Sequence, residues 1–216
     1  MAPLLFSLIL LVDFLVLFGI MISIFFPKHR IWPPPKKDSW QFWVSWILFD
    51  IGMIGSGLIG FIDFNSLGYG FWIRIFIGGF AILTGGIIAL WGVRTLSTYQ
   101  SFGLKGKLVM EEPYRYSRNP QYLGFILMFA GAILVTYSFV TLVAGIIMIV
   151  IFIILPFSEE PWLVHQYGKA YIEYRKHVPR FIGLRSMKSK NGEKVMVDME
   201  FNNKTYTQFH NSAELT

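Results

Sequence analysis

Apolar residues in this chain come in long runs, and each of the first three is as long as a bilayer is thick. A helix rising 1.5 Å per residue needs about 20 mostly apolar residues to cross roughly 30 Å of hydrocarbon, with its backbone groups bonded within the segment. The first run extends from Pro3 to Phe26 with Asp13 as its only charge, the second from about Trp40 to Ile62, and the third from about Gly70 to Val93. Between Gln121 and Pro156 no residue is charged. That stretch is too long for one span and suits two short ones, broken near Tyr137-Ser138. The pattern predicts an all-α polytopic membrane protein with five transmembrane helices, the last two forming a helical hairpin, followed by a C-terminal helix and a polar tail. Residues 1–93 would hold the three N-terminal helices, 94–182 the hairpin and its polar flanks, and 183–216 the tail. The first run lacks a basic leading segment and a small-residue cleavage site, so a retained helix is expected rather than a signal peptide.

Composition narrows the class. Hydrophobic residues make up 54% and charged residues 15%, against about 25% charged in soluble domains. With a mean hydropathy of +0.53, this excludes a soluble enzyme, a disordered chain and a nucleic-acid-binding domain. The absence of Cys removes disulfides, thiolate metal sites and a Cys nucleophile. The net charge of +6 lies between the apolar runs and so reads as membrane orientation. Pro27 to Ser39 is basic, Asp63 to Tyr69 has one acid and no base, and the segments from Arg94 to Pro120 and after Pro156 are basic again. The positive-inside rule then places the N-terminus outside and the C-terminus in the cytoplasm, as an odd number of spans requires. Arg74 dissents and would snorkel to the outer interface, beside Asp63.

Inside the second span Gly52, Ser56 and Gly60 recur every four residues, a face that lets helices approach closely. Asp13 and Asp50 sit within spans, where a carboxyl either serves a substrate or is protonated or hydrogen-bonded between helices. The stiff Pro33-Pro34-Pro35 beside basic residues suits a segment lying along anionic headgroups. In the tail, Val195, Val197, Met199 and Phe201 alternate with polar residues, as a short strand would.

Polar chemistry concentrates on one side of the last two spans. Pro120 suits the first turn of the fourth helix, which sets Arg118 at its positive end, where a carboxylate or phosphate is held by guanidinium and backbone N–H together. Gly124, four residues on, offers a bare backbone patch. After the fifth span come Glu159 and Glu160, with Pro161 suited to open a new helix on which Glu160, Val164, Tyr167, Tyr171 and Tyr174 share one face. One at a time, these residues are ordinary interfacial anchors. Brought together by a hairpin, they make a site for a zwitterionic, adenine-bearing ligand at the lipid boundary.

Two motifs carry a resemblance. Tyr114-Arg115-Tyr116-x-Arg118-x-Pro120-x-Tyr122-x-Gly124, followed by Glu159-Glu160-x-x-Leu163 and Gly168-x-x-Tyr171-x-x-Tyr174-x-x-x-Val178-Pro179-Arg180-Phe181, resembles the isoprenylcysteine carboxyl methyltransferase and phospholipid N-methyltransferase superfamily over about residues 85–182. The resemblance implies an integral membrane enzyme using S-adenosylmethionine, with a lipid or other apolar molecule as acceptor. It implies cofactor contacts at Arg118, Asn119, Pro120, Tyr122, Gly124, Glu159 and Glu160, with Tyr171 beside them. Arg118 would hold the methionine carboxylate, Glu159 or Glu160 the ribose hydroxyls or the ammonium, and Tyr167, Tyr171 or Tyr174 the adenine or sulfonium. Arg180, His165 and Tyr174 are the candidates at the reacting centre, with His177 a second possible proton acceptor. Asn119 stands where the family often has His, so proton transfer at that position is not expected. The alternatives are an NADPH-dependent sterol or lipid reductase, which shares parts of both motifs, and a membrane scaffold without a cofactor. None of the three readings involves nucleic acid.

Overall fold

A computed structural model of the chain describes residues 2–67 and 70–182. The alternating segment around Val195–Phe201 lies outside the described residues. Within them the regular structure is helical: α1 (Ala2–Phe25), α2 (Trp40–Ile62), α3 (Phe71–Thr95), α4 (Thr98–Ser101), α5 (Pro120–Thr136), α6 (Phe139–Tyr167) and α7 (Lys169–His177), with a 3₁₀ turn at Pro27–His29. Four of these, α1, α2, α3 and α6, are long and apolar enough to cross a membrane, while α5 is a shorter apolar helix of 17 residues. Leu8, Phe18, Phe76, Phe80 and Leu83 are among the many large apolar side chains left exposed. Such a surface belongs in lipid rather than water. Ser39 caps α2 by accepting from the Phe42 N–H, and Ser138 caps α6 by accepting from the Thr141 N–H.

The centre of the molecule is α6. Its Met148, Ile151, Phe152 and Leu155 form the main core with Ile20 of α1 and Phe129 of α5. Phe152 receives the rings of Phe49, Tyr122, Phe125 and Phe129. α3 does not reach this core. It packs against α5 through glycines seven residues apart, Gly78 on Gly131, Gly85 on Gly124 and Gly92 on Gln121, close enough that a Cβ at any of the three would overlap its neighbour.

Two sequence expectations fail around α6. This helix does not stop near Pro156 but continues through both Pro156 and Pro161 to Tyr167. Proline is tolerated there because neighbouring groups in a packed membrane helix can re-satisfy the freed carbonyls. The break falls at Gly168, whose φ of 55° and ψ of −129° lie in a region open essentially to glycine. Glu160 and Tyr174 therefore sit on different helices rather than along one face.

Other expectations are corrected as well. Arg74 does not snorkel beside Asp63. It is buried, donates to the Asn65 side chain and lies 4.6 Å over the Tyr137 ring, while Asp63 accepts from Ser66 and Ser138. Pro33 and Pro34 do not lie along headgroups but are fully buried. Gly52, Ser56 and Gly60 are buried as the spacing suggests. Asp13, itself fully buried, accepts from Ser56 Oγ at 3.1 Å and closes against Gly52. That carboxyl is a link between α1 and α2.

Candidate functional site

The two polar motifs meet because the chain after α7 is laced onto the loop before α5. The Arg118 N–H donates to Pro179 O at 3.0 Å, Asn119 Nδ2 to Arg180 O at 2.9 Å, and Ser117 Oγ to the same Arg180 carbonyl. Asn119, which stands at a motif position where His is common, thus acts as an amide staple. Behind it α7 buries Tyr171, Tyr174 and Val178 against Met110, with Leu163, Val164 and Tyr167 of α6 packed alongside.

This lacing brings three charged groups together. Glu160 Oε1 lies 3.0 Å from Arg118 Nη1 and 2.7 Å from Arg180 Nε, and Glu160 Oε2 accepts from Arg180 Nη2 at 2.9 Å. Arg180 also stands 3.9 Å over the Phe157 ring. The hydrogen bond to Glu160 holds the Arg180 proton more tightly than usual. Glu160 is thereby occupied by two guanidiniums and is not the acid turned toward a ligand. The three side chains carry one net positive charge. Arg118, 9% exposed, spends Nη1 on Glu160 and on Tyr171 Oη at 3.4 Å, while its buried Nε has no partner. An orphaned donor on a buried cation suits an incoming carboxylate or phosphate.

Arg118 faces a polar chamber of about 120 Å³, walled by Asn119, Tyr122, Glu159, Trp162, Tyr167, Tyr171 and Tyr174 and by the stretch from Leu96 to Val109. Glu159 accepts from Trp32 Nε1 at 2.6 Å and from the Tyr122 hydroxyl. No cation pairs with Glu159 among the described residues. Burial pushes the Tyr171 phenol up to about 12 and holds the Tyr174 phenol well above its ordinary value. Both are neutral donors at physiological pH, and neither is a base. Tyr174 is also buried and gives its hydrogen to Tyr114 O at 2.6 Å, while Tyr167 gives its own to Gly106 O. Tyr174 therefore holds the motif loop rather than offering a free hydroxyl to a reacting centre.

A second, larger chamber of about 620 Å³ adjoins the first and is mostly apolar. It is walled by α1, α2, α5 and α6, with Ile31, Trp32, Val93, Arg94, Leu96, Ser101 and Phe102. Trp32, Leu96, Ser101, Gln121 and Tyr122 face both chambers. The septum between them is therefore built around the Trp32–Glu159–Tyr122 hydrogen bonds.

Not every residue expected in the site is there. Gly124 is spent on α3, where a Cβ would lie 2.5 Å from Gly85 O, so it is a packing contact and not a bare patch for a ligand. Pro120 is buried at the first turn of α5 as expected, but it lines neither chamber. His165 is exposed on α6 and faces neither chamber, and the His177 ring turns back to Glu173 of its own helix. Sequence reasoning missed Trp32. The only signal was its place before three prolines, which bend a loop inward as readily as along a surface.

Residues 73–170 match the model of a family described as phospholipid methyltransferase, which bears out the resemblance carried by the two motifs. No curated protein and no solved structure matches the chain.

Proposed function

We propose, starting from the family match of residues 73–170, that this chain is an S-adenosylmethionine-dependent methyltransferase acting on a lipid or other apolar acceptor at the cytoplasmic membrane face. The observation that carries the reading is the pair of adjoining chambers, a polar one with an anion-seeking arginine and an apolar one fit for hydrocarbon, meeting at a single septum. When bound, S-adenosylmethionine supplies an electrophilic methyl on a sulfonium. The protein's part is then mostly positional, since in-line displacement needs the acceptor held about 3–3.5 Å from the methyl carbon and kept dry.

On this reading Arg118 Nε takes the methionine carboxylate, and Glu159 accepts from ribose hydroxyls or pairs with the ammonium. Trp162 and Tyr171 supply aromatic surface for the adenine or the sulfonium. The polar chamber, at about 120 Å³, is below the roughly 300 Å³ of a small ligand pocket. S-adenosylmethionine would therefore need the chamber wider than it stands, and the stretch from Leu96 to Val109, with only the short turn α4, forms part of its wall. On this reading the 17-residue α5 is the fourth span and α6 the fifth. With basic loops inside, the chambers open toward the cytoplasm.

The experiment is binding of S-adenosylhomocysteine to the detergent-purified protein by calorimetry, with NADPH as the control. Saturable binding of the first and none of the second is expected. The reverse order would establish the lipid reductase reading, and silence toward both in protein of verified fold would favour a scaffold.

A further inference from the structure

The loop between α1 and α2 grips one side chain from every direction. Ser23 Oγ, buried on α1, accepts from the Ile31 N–H at 2.9 Å and from the Trp32 N–H at 3.0 Å. Pro33 and Pro34 follow, both fully buried. Gly103 closes on the indole from the Leu96–Val109 stretch. Its φ of 74° suits glycine, and a Cβ there would lie 2.9 Å from a ring carbon of Trp32. The Trp46 ring meets the indole edge-on at 5.8 Å. Backbone and ring of Trp32 are thus fixed by the fold itself.

That grip aims the indole N–H. It donates to Glu159 Oε1 at 2.6 Å, and the Tyr122 hydroxyl donates to the same oxygen. Among the described residues no hydrogen bond reaches Glu159 Oε2, and Glu159 lines the polar chamber but not the larger one. Arg118 and Lys107 line the polar chamber too. A carboxylate left to itself there would swing toward a cation, and the two charges would cancel. Held at one oxygen by two neutral donors, Glu159 makes no ion pair among the described residues. Its charge and that of Arg118 stay separate, which is what a zwitterionic ligand requires.

We infer that Trp32 is a positioning residue of the cofactor site, its indole N–H keeping Glu159 turned to the cofactor rather than to Arg118. This rests on the methyltransferase reading. Trp32 lies outside the family-matched residues 73–170, so the N-terminal part of the chain completes a site whose motifs stand far along it.

The test is a double-mutant cycle on the full chain in a non-ionic maltoside detergent, read as S-adenosylhomocysteine affinity by calorimetry, with thermal melting to verify the fold. Trp32→Phe keeps an aromatic ring and removes the N–H, and should weaken binding roughly tenfold, as loss of a hydrogen bond to a charged group does. Made on top of Glu159→Gln, the same change should cost less than about twofold, because a residue acting through Glu159 has nothing left to position. Should Trp32→Phe fail to fold, Trp32→benzothienylalanine decides, since sulfur replaces the N–H and the bicyclic shape is kept. Unchanged affinity in the folded single variant overturns the positioning role. So does a full tenfold loss that persists beside Glu159→Gln, which would make the indole a plain wall. Either result leaves the methyltransferase reading standing, whereas absence of binding by wild-type protein overturns both.

Discussion

Gly85→Val should abolish recovery of monodisperse folded protein from detergent, and Gly85→Ala should lower its melting temperature sharply. The contact at this position is backbone on backbone. A Cβ on Gly85 would lie 2.5 Å from Gly124 O and 2.9 Å from Met128 N. Seen from α5, a Cβ on Gly124 would lie 2.5 Å from Gly85 O and 2.6 Å from Ala89 N. Neither side has a flexible side-chain tip to move aside, so α3 and α5 must separate along their length. Overpacking a core costs about 1–3 kcal/mol and sometimes more, and a rigid backbone clash belongs at the upper end. Helix association in lipid depends on close packing and interhelical bonds rather than on hydrophobic burial, which removes the usual compensation. Control positions lie on the same helix. Gly79 and Gly86 face open space, and alanine there should leave stability unchanged or raise it by a few tenths of a kcal/mol through helix propensity. If Gly85→Ala and Gly86→Ala melt together, α3 and α5 are not as close as described.

Arg118→Ala should reduce S-adenosylhomocysteine affinity by roughly a hundredfold or more, about the 3 kcal/mol carried by a charge-assisted contact to a carboxylate, while the protein remains folded. The second half of that expectation comes from Arg180, which holds Glu160 through two bonds and keeps the carboxylate neutralised when Arg118 is gone. Glu160→Ala should behave differently. It leaves two guanidiniums facing each other without their common partner, and breaking a buried ion pair from one side costs about 3–5 kcal/mol. The loss of binding in Glu160→Ala should therefore come with a loss of melting temperature, whereas in Arg118→Ala it should not. Arg118→Lys keeps the charge but not the forked donors, and should recover only part of the affinity. Calorimetry beside thermal melting separates the two effects. Unchanged affinity in folded Arg118→Ala would remove Arg118 from the cofactor site.

Much of the fold was legible in the chain because membrane helices announce themselves. Bilayer thickness sets a minimum run length, the interior forbids charge, and the ends collect Arg, Tyr and Trp. The ranges of α1 to α3 and the break at Tyr137-Ser138 follow from those constraints alone. The two motifs were equally plain, since each is a local string of unusual residue types. The heptad spacing of Gly78, Gly85 and Gly92 against Gly124 and Gly131 was also present to be read. It becomes a helix interface only when both helices are considered together.

What the linear chain could not fix is which partner each polar group takes. Glu159 and Glu160 are neighbours with the same chemistry, yet a 100° turn of α6 sends one to Trp32 and Tyr122 and the other to two arginines. Gly124 reads as a ligand contact by its distance from Pro120, and only the approach of α3 shows it is filled. Trp32 and Asp50 lie far from both motifs in sequence, and they reach the chamber walls because the loop after α1 folds inward and α2 packs on α6. Sequence by itself determined the helices, their apolar surfaces and the existence of a polar site, since those depend on residue type and spacing. Tertiary structure decided which side chains face the chambers and which are spent on packing, because that depends on the rotation and closeness of helices that no local pattern records.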